Sequence, residues 1–97
     1  FKSTIDTNLY SDLSLYEFAR LCNMSLATFN RKFREVYIQN PREYITRMKI
    51  KKASQLLSSP EKRIADIAFE CGFESISTFN RVFKTHFEKS PSKYRLT

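Results

Sequence analysis

Thr28-Phe29-Asn30-Arg31 recurs as Thr78-Phe79-Asn80-Arg81, and the match extends outward on both sides. Ala19 aligns with Ala68, Cys22 with Cys71, Ser25 with Ser75, Phe33 with Phe83, Pro41 with Pro91 and Tyr44 with Tyr94, the second copy carrying one extra residue near Glu74. A chain of 97 residues that states one unit twice divides into two related subdomains. Two copies are too few for a solenoid. Each half, roughly forty residues, buries only a modest core, so mutual support between the halves is expected.

Around the repeated tetrapeptide the pattern is helical. Phe1, Ile5 and Leu9 share one face of a first helix over about residues 1–9. Ser14 followed by Glu17 is a capping box that opens a helix through about Cys22, with Leu15, Phe18, Ala19 and Cys22 inward. Asn23 and Gly72 then occupy equivalent places, and these two residue types best tolerate the left-handed conformation that ends a helix. Ser25 is a good N-cap for the next helix, to about Tyr37. Helix, left-handed turn, helix is the helix-turn-helix pattern. The second copy repeats it over about Arg63–Cys71 and Ser75–Phe87.

Asn40-Pro41 and Ser90-Pro91 each read as an N-cap followed by proline at the first helical position. The first opens a long helix to about Leu57, with Tyr44, Ile45, Met48, Lys52, Ala53 and Leu56 as its stripe and Lys52 reaching outward. The second opens a short helix around Ser92–Arg95. Ser58-Ser59-Pro60-Glu61 is the clearest break. The predicted fold is therefore all-α: two helix-turn-helix (homeodomain-like) subdomains joined by a long linker helix, about seven helices in all. The divisions fall at 1–40, 41–57 and 58–97.

Composition narrows the function. The net charge is +7 and the pI near 9.7, which favours an anionic partner, nucleic acid first. No apolar stretch approaches the ~18 residues that span a bilayer, and no signal peptide is visible. Phe1 is not an initiator methionine, so an upstream domain is expected. Cys22 and Cys71 hold the same place in two separate units and read as small buried residues in a reducing cytosol. With His86 alone beside them they make no zinc site. No Ser/His/Asp set, paired carboxylates or glycine-rich phosphate loop is visible, so neither an enzyme nor a cofactor is expected.

Placed on a helix, residues 25–37 turn Leu26, Phe29, Phe33 and Val36/Tyr37 inward, and Ala27, Asn30, Arg31 and Arg34 outward. In the second copy Ile76, Phe79, Phe83 and Phe87 point inward, Ser77, Asn80, Arg81 and Lys84 outward, with Thr28 and Thr78 on the flanks. The outward faces suit a major groove. Arg donates two hydrogen bonds to guanine O6 and N7, and Asn bridges adenine N6 and N7. Short residues such as Ala27, Ser77 and Thr78 let the backbone approach. Taken singly, Arg31 or Arg81 is an ordinary solvated residue; the recurrence of Asn-Arg in register on two like helices is what argues for function. The linker helix carries Arg42, Arg47, Lys49, Lys51 and Lys52 against Glu43. At ~1.5 Å per residue it spans about 25 Å, enough to hold two reading helices near the ~34 Å spacing of successive major grooves.

The run Ile64-Ala65-Asp66-Ile67-Ala68-Phe69-Glu70-Cys71-Gly72-Phe73-Glu74-Ser75-Ile76-Ser77-Thr78-Phe79-Asn80-Arg81-Val82-Phe83-Lys84, with Ser90-Pro91-Ser92-Lys93-Tyr94-Arg95, resembles the signature of AraC/XylS-type transcription regulators. The resemblance covers the whole chain as that family's DNA-binding domain. It implies a bacterial, cytoplasmic, nucleoid-associated regulator that binds promoter DNA, contacts RNA polymerase, and follows a sensing or dimerisation domain. By position, the base-reading residues fall on Ala27, Asn30 and Arg31, and on Ser77, Thr78, Asn80 and Arg81. Backbone contacts fall on Ser25, Arg34, Lys49, Ser75 and Lys84. In the family a glycine often stands shortly before the Ser-Pro. Glu88 stands there in this chain, and Ile38 in the first copy, so the left-handed helix ending is not expected at either place.

Two alternatives stand beside this reading. The chain is the DNA-binding part of a methyl-accepting DNA-repair regulator, whose reactive cysteine cluster then lies outside these residues. Or it is a non-specific basic nucleic-acid binder, with similar affinity for every duplex.

Overall fold

The computed structural model describes residues 1–96 and has seven α-helices and no strand among them. They are α1 (Lys2–Thr7), α2 (Leu15–Leu21), α3 (Leu26–Tyr37), α4 (Pro41–Leu56), α5 (Ile64–Glu70), α6 (Ile76–Phe87) and α7 (Pro91–Leu96). The local signals explain most boundaries. Both halves of the capping box are made: Glu17 N–H donates to Ser14 Oγ at 3.2 Å, and Ser14 N–H to Glu17 Oε1 at 3.0 Å. Those bonds hold the Glu17 carboxyl below its ordinary pKa. Asn40 Oδ1 accepts from the Arg42 N–H at 2.9 Å, and Pro41 sits buried at the first position of α4. Asn23 (φ 56°) and Gly72 (φ 93°) are both left-handed, as the turn pattern predicts.

Four expectations are corrected. First, α1 stops at Thr7, short of Leu9, because Asn8 closes it by donating its side-chain amide to Thr4 O at 2.8 Å. Second, α3 and α6 do end left-handed although no glycine is there: Ile38 has φ 58° and Glu88 φ 61°. This left-handed return, with the Ile38 N–H on Arg34 O and the Glu88 N–H on Lys84 O, is demanded by Asn40-Pro41 and Ser90-Pro91, which start a new helix three residues on in each unit. Third, Leu26 and Ile76 are more exposed than buried-face residues should be, at 39% and 40%. A helical side chain leans over the turn before its own Cα, and at the first helical position no such turn exists to cover. Fourth, Ile50 of α4 and Leu57 at its C-cap are buried, outside the expected stripe, while Lys52 is only half-buried.

The burial of Ile50 and Leu57 reflects the architecture. There are two cores. One gathers Ile5, Leu9, Phe18, Ala19, Phe29, Phe33 and Ile45; the other gathers Ile50, Ala53, Leu57, Ile67, Ala68, Phe79 and Phe83 among others. Cys22 packs against the first and Cys71 lies within the second. Helix α4 serves both. Its first half, with buried Pro41, closes the first unit as α7 with buried Pro91 closes the second. Its second half supports α5 and α6 as α1 supports α2 and α3. Two jobs on different faces leave no single apolar stripe, which is why a one-stripe reading misses Ile50. The repeat persists in aromatic packing. Phe33, Tyr37 and Tyr44 cluster with ring centroids 4.2, 5.6 and 4.6 Å apart. Phe83, Phe87 and Tyr94 do the same at 4.8, 5.3 and 4.9 Å. Each buried ring contributes about 1.5–3 kcal/mol from area alone.

The result is elongated. Its extents are 42 × 21 × 21 Å and its radius of gyration 14.3 Å, against about 12.5 Å for a compact domain of this length.

Candidate nucleic-acid interface

Helices α3 and α6 are built by the same devices. Ser25 Oγ accepts from the Thr28 N–H at 3.2 Å and donates to Thr28 Oγ1 at 3.0 Å. Ser75 does likewise toward Thr78 at 3.1 and 3.0 Å. Phe29 and Phe33, then Phe79 and Phe83, are fully buried. Two buried rings one turn apart fix each helix's rotation about its axis. The opposite face must then look outward.

Ala27, Arg31 and Arg34 are exposed on α3, and Ser77, Asn80, Arg81 and Lys84 on α6. Asn30 and Thr78 are half-buried at the edges of these faces. Ala27, Asn30, Arg31, Arg34 and Glu35 border one open cleft. The two asparagines differ. Asn80 is exposed, whereas Asn30 Oδ1 is enclosed without a hydrogen-bond partner. An enclosed, unpaired amide oxygen costs about 1–3 kcal/mol, so Asn30 gains from turning outward onto a partner. Ser25 is exposed and Ser75 half-buried, both committed as caps. The ion pairs among the described residues are Lys62–Glu70 and Arg63–Asp66, both 3.2 Å and both around α5. Neither neutralises the outward faces.

Lys49 is half-buried and reaches across to the second unit. Its Nζ donates to the Gly72 carbonyl at 3.1 Å, and burial pushes its pKa down. That ties the ammonium to the second unit's turn at the edge of the cleft beside α6. Thr46 and Thr85, which the sequence did not single out, join the cations of α4 and α6 here. Arg42 and Thr46 of α4 line one cleft with Thr78 and Arg81 of α6. Arg42 and Arg47 line the adjoining one with Arg81, Thr85 and His86. His86 Nδ1 lies 3.0 Å from Val82 O. The signal for Thr46 was its i, i+4 spacing from Arg42 after a buried Pro41, which sets the phase of α4.

The arrangement presents hydrogen-bond donors and cations on two like helices, each seated on its own core, with further cations on α4, which serves both cores. Among the described residues no helix is long and apolar enough to cross a membrane.

Comparison with known proteins agrees. A family described as a helix-turn-helix domain matches residues 18–97. The virulence regulon transcriptional activator VirF of Yersinia enterocolitica is 39% identical over 93 residues, 96% of this chain but 34% of that protein. The chain therefore spans about a third of the relatives it first matches. The regulatory protein SoxS of Salmonella typhimurium is 35% identical over 91 residues, 94% of this chain and 85% of that protein. The fold is that of the DNA-binding domain of AdpA, a global transcriptional factor crystallised with a target DNA, with a TM-score of 0.87, 23% identity, and coverage of 98% of this chain and 88% of that one. On the match across residues 18–97 and the likeness to most of SoxS, the chain belongs to the helix-turn-helix family of AraC/XylS-type regulators.

Proposed function

We propose that this domain binds double-stranded DNA sequence-specifically and so regulates transcription, with α3 and α6 in successive major grooves. The observation that carries this reading is the doubled face: Asn-Arg exposed or edge-exposed in register on two helices capped and packed identically. Ala27, Asn30 and Arg31 read bases on one block, and Ser77, Thr78, Asn80 and Arg81 on the other. Arg34 and Lys84, with the helix starts at Ser25 and Ser75, hold phosphates. The 42 Å long axis accommodates the ~34 Å between successive grooves. Family membership supports a regulator rather than an enzyme. Residues 1–40 and 58–97 act as the two reading units and 41–57 as their link. In the whole protein a sensing or dimerisation domain precedes this one, RNA polymerase is a partner, and the site of action is the nucleoid in the cytoplasm.

Selection of duplexes from a random pool tests this. The expected outcome is a bipartite motif with blocks about 10 base pairs apart. Absence of any enrichment, with affinity following salt alone, would replace this reading by the non-specific binder. Arg31→Ala and Arg81→Ala should each cost about 1–3 kcal/mol and relax preference at one position. Lys84→Ala should weaken all duplexes alike and flatten the salt dependence.

A further inference from the structure

The joint between the two units is closed at one point by a glycine and a lysine. The segment after α1 passes directly over the turn after α5. A Cβ placed on Gly72 would stand 2.5 Å from Ser11 O, 2.6 Å from Tyr10 C and 2.7 Å from Tyr10 O. These are backbone atoms of the other unit, and they cannot swing aside. The repeat supplies the comparison: Asn23, at the equivalent place in the first unit, is also left-handed and carries an exposed side chain. A left-handed turn therefore does not by itself require glycine here. The approach of the first unit does.

Lys49 crosses the same joint. It leaves α4 between the two cores, donates its Nζ to Gly72 O at 3.1 Å, and lies 5.8 Å from the Phe73 ring centroid. Lys52, three residues on, sits 4.1 Å over the Tyr10 ring. One helix thus grips the second unit's turn with one lysine and the first unit's loop with the next. Asp12 and Cys71 are the titratable groups facing Lys49, and the loss of solvent outweighs their attraction. Thr78 and Arg81 line the same cleft as Lys49 and Gly72, so the joint abuts the outward face of α6.

We propose that Lys49 and Gly72 are positioning residues that lock the two units into one orientation and thereby set the spacing between DNA blocks that the domain accepts. This rests on the proposed reading of DNA by both α3 and α6. Without the lock the units would be held by α4 and the Lys52–Tyr10 contact, and a helix with a core at each end twists and bends.

The test uses the chain's own selected duplex and the same duplex with one base pair inserted or removed between the blocks. Wild type should lose about tenfold or more on the respaced duplexes, as for loss of a good base contact. Lys49→Met keeps the stem but not the hydrogen bond, and should discriminate among spacings by less than about threefold. Lys51→Met removes the same charge from an exposed position of α4 and should keep wild-type discrimination. Discrimination by Lys49→Met equal to wild type overturns the proposal. Residual dipolar couplings of the DNA-free chain give a reading independent of the selected duplex. Amides of α3 and α6 should fit one alignment tensor in wild type and two in Gly72→Ala. A wild type that needs two tensors overturns the lock whatever DNA does. One tensor with no bipartite selection sinks the DNA reading and, with it, the spacing role, while leaving the lock itself standing.

Discussion

Ile38 carries the plainest residue-scale conflict. It is β-branched, 83% exposed and left-handed at φ 58°. A left-handed L-residue costs about 1–2 kcal/mol, and glycine at the same place gives back part of that through the unfolded chain's entropy. Ile38→Gly should therefore raise stability by about 0.5–1 kcal/mol, read as a higher denaturant midpoint with unchanged slope. Tyr37 is a second residue whose surroundings oppose one state. Burial, reinforced by Asp6, pushes its phenol up to about 12. The Tyr37 hydroxyl donates to Asp6 Oδ1 at 3.4 Å. A folded pKa above the ordinary 10.0 means this stabilisation is complete below pH 10 and is lost as pH rises through 12. Tyr37→Phe should flatten the alkaline fall in stability across that window; an equally steep fall would place the titration elsewhere. Cys71 is buried with its thiol pushed up to about 11 by that burial, whereas Cys22 is half-buried. A maleimide or iodoacetamide time course near neutral pH should show Cys22 modified well before Cys71.

At the scale of elements, the caps on α3 and α6 test the equivalence of the two units. Ser25→Ala and Ser75→Ala each remove a bond to a Thr backbone N–H and one to its hydroxyl. Each should cost about 1 kcal/mol, and similar losses by thermal unfolding would confirm that both helix starts are built alike. Helix α5 has no such device. Its N-cap is Arg63, without a side-chain cap bond, and the exposed Arg63–Asp66 pair stands beside it. Ion pairs of that exposure contribute little, so α5 depends on Ile67 and Ala68 in the core. The ends of α4 are held differently again. Asn40 caps the start, and at the other end Arg95 donates Nε to Leu57 O and a guanidinium N–H to Ser59 O, both at 3.1 Å. That ties the final helix to the linker's exit.

For the whole molecule, the shared helix decides cooperativity. Ile45 of α4 belongs to one core, and Ile50, Ala53 and Leu57 to the other. Neither unit is large enough to hold α4 helical alone. Phe33→Ala should cost about 3–5 kcal/mol, and the loss should appear in the hydrogen exchange of α6 as well as α3. Exchange that falls only in the first unit would show that the two fold independently. The elongated shape has the opposite consequence for charge. Cations stand on α3, α4 and α6 along the long axis, so binding to duplex DNA should weaken steeply with salt.

What the chain's order of residues determined was local and repeated. Helix starts at Ser14, Ser25, Asn40 and Ser75 were legible because a cap bonds to amides two or three residues away. The left-handed turns at Asn23 and Gly72 were legible from residue type, and the outward faces of α3 and α6 from the phenylalanine spacing opposite them. What lay beyond reach was set by distant parts of the chain. The left-handed ends at Ile38 and Glu88 run against their own preferences and are imposed by the helices that must begin next. Ile50 and Leu57 escaped a one-stripe reading because α4 faces two cores. Lys49 looked like one more surface cation; only the packing of the α1–α2 segment over Gly72 put a carbonyl within its reach. Local bonding depends on neighbours in sequence, so sequence reveals it. The joint depends on which two loops meet across α4, and that is decided only when both cores have formed.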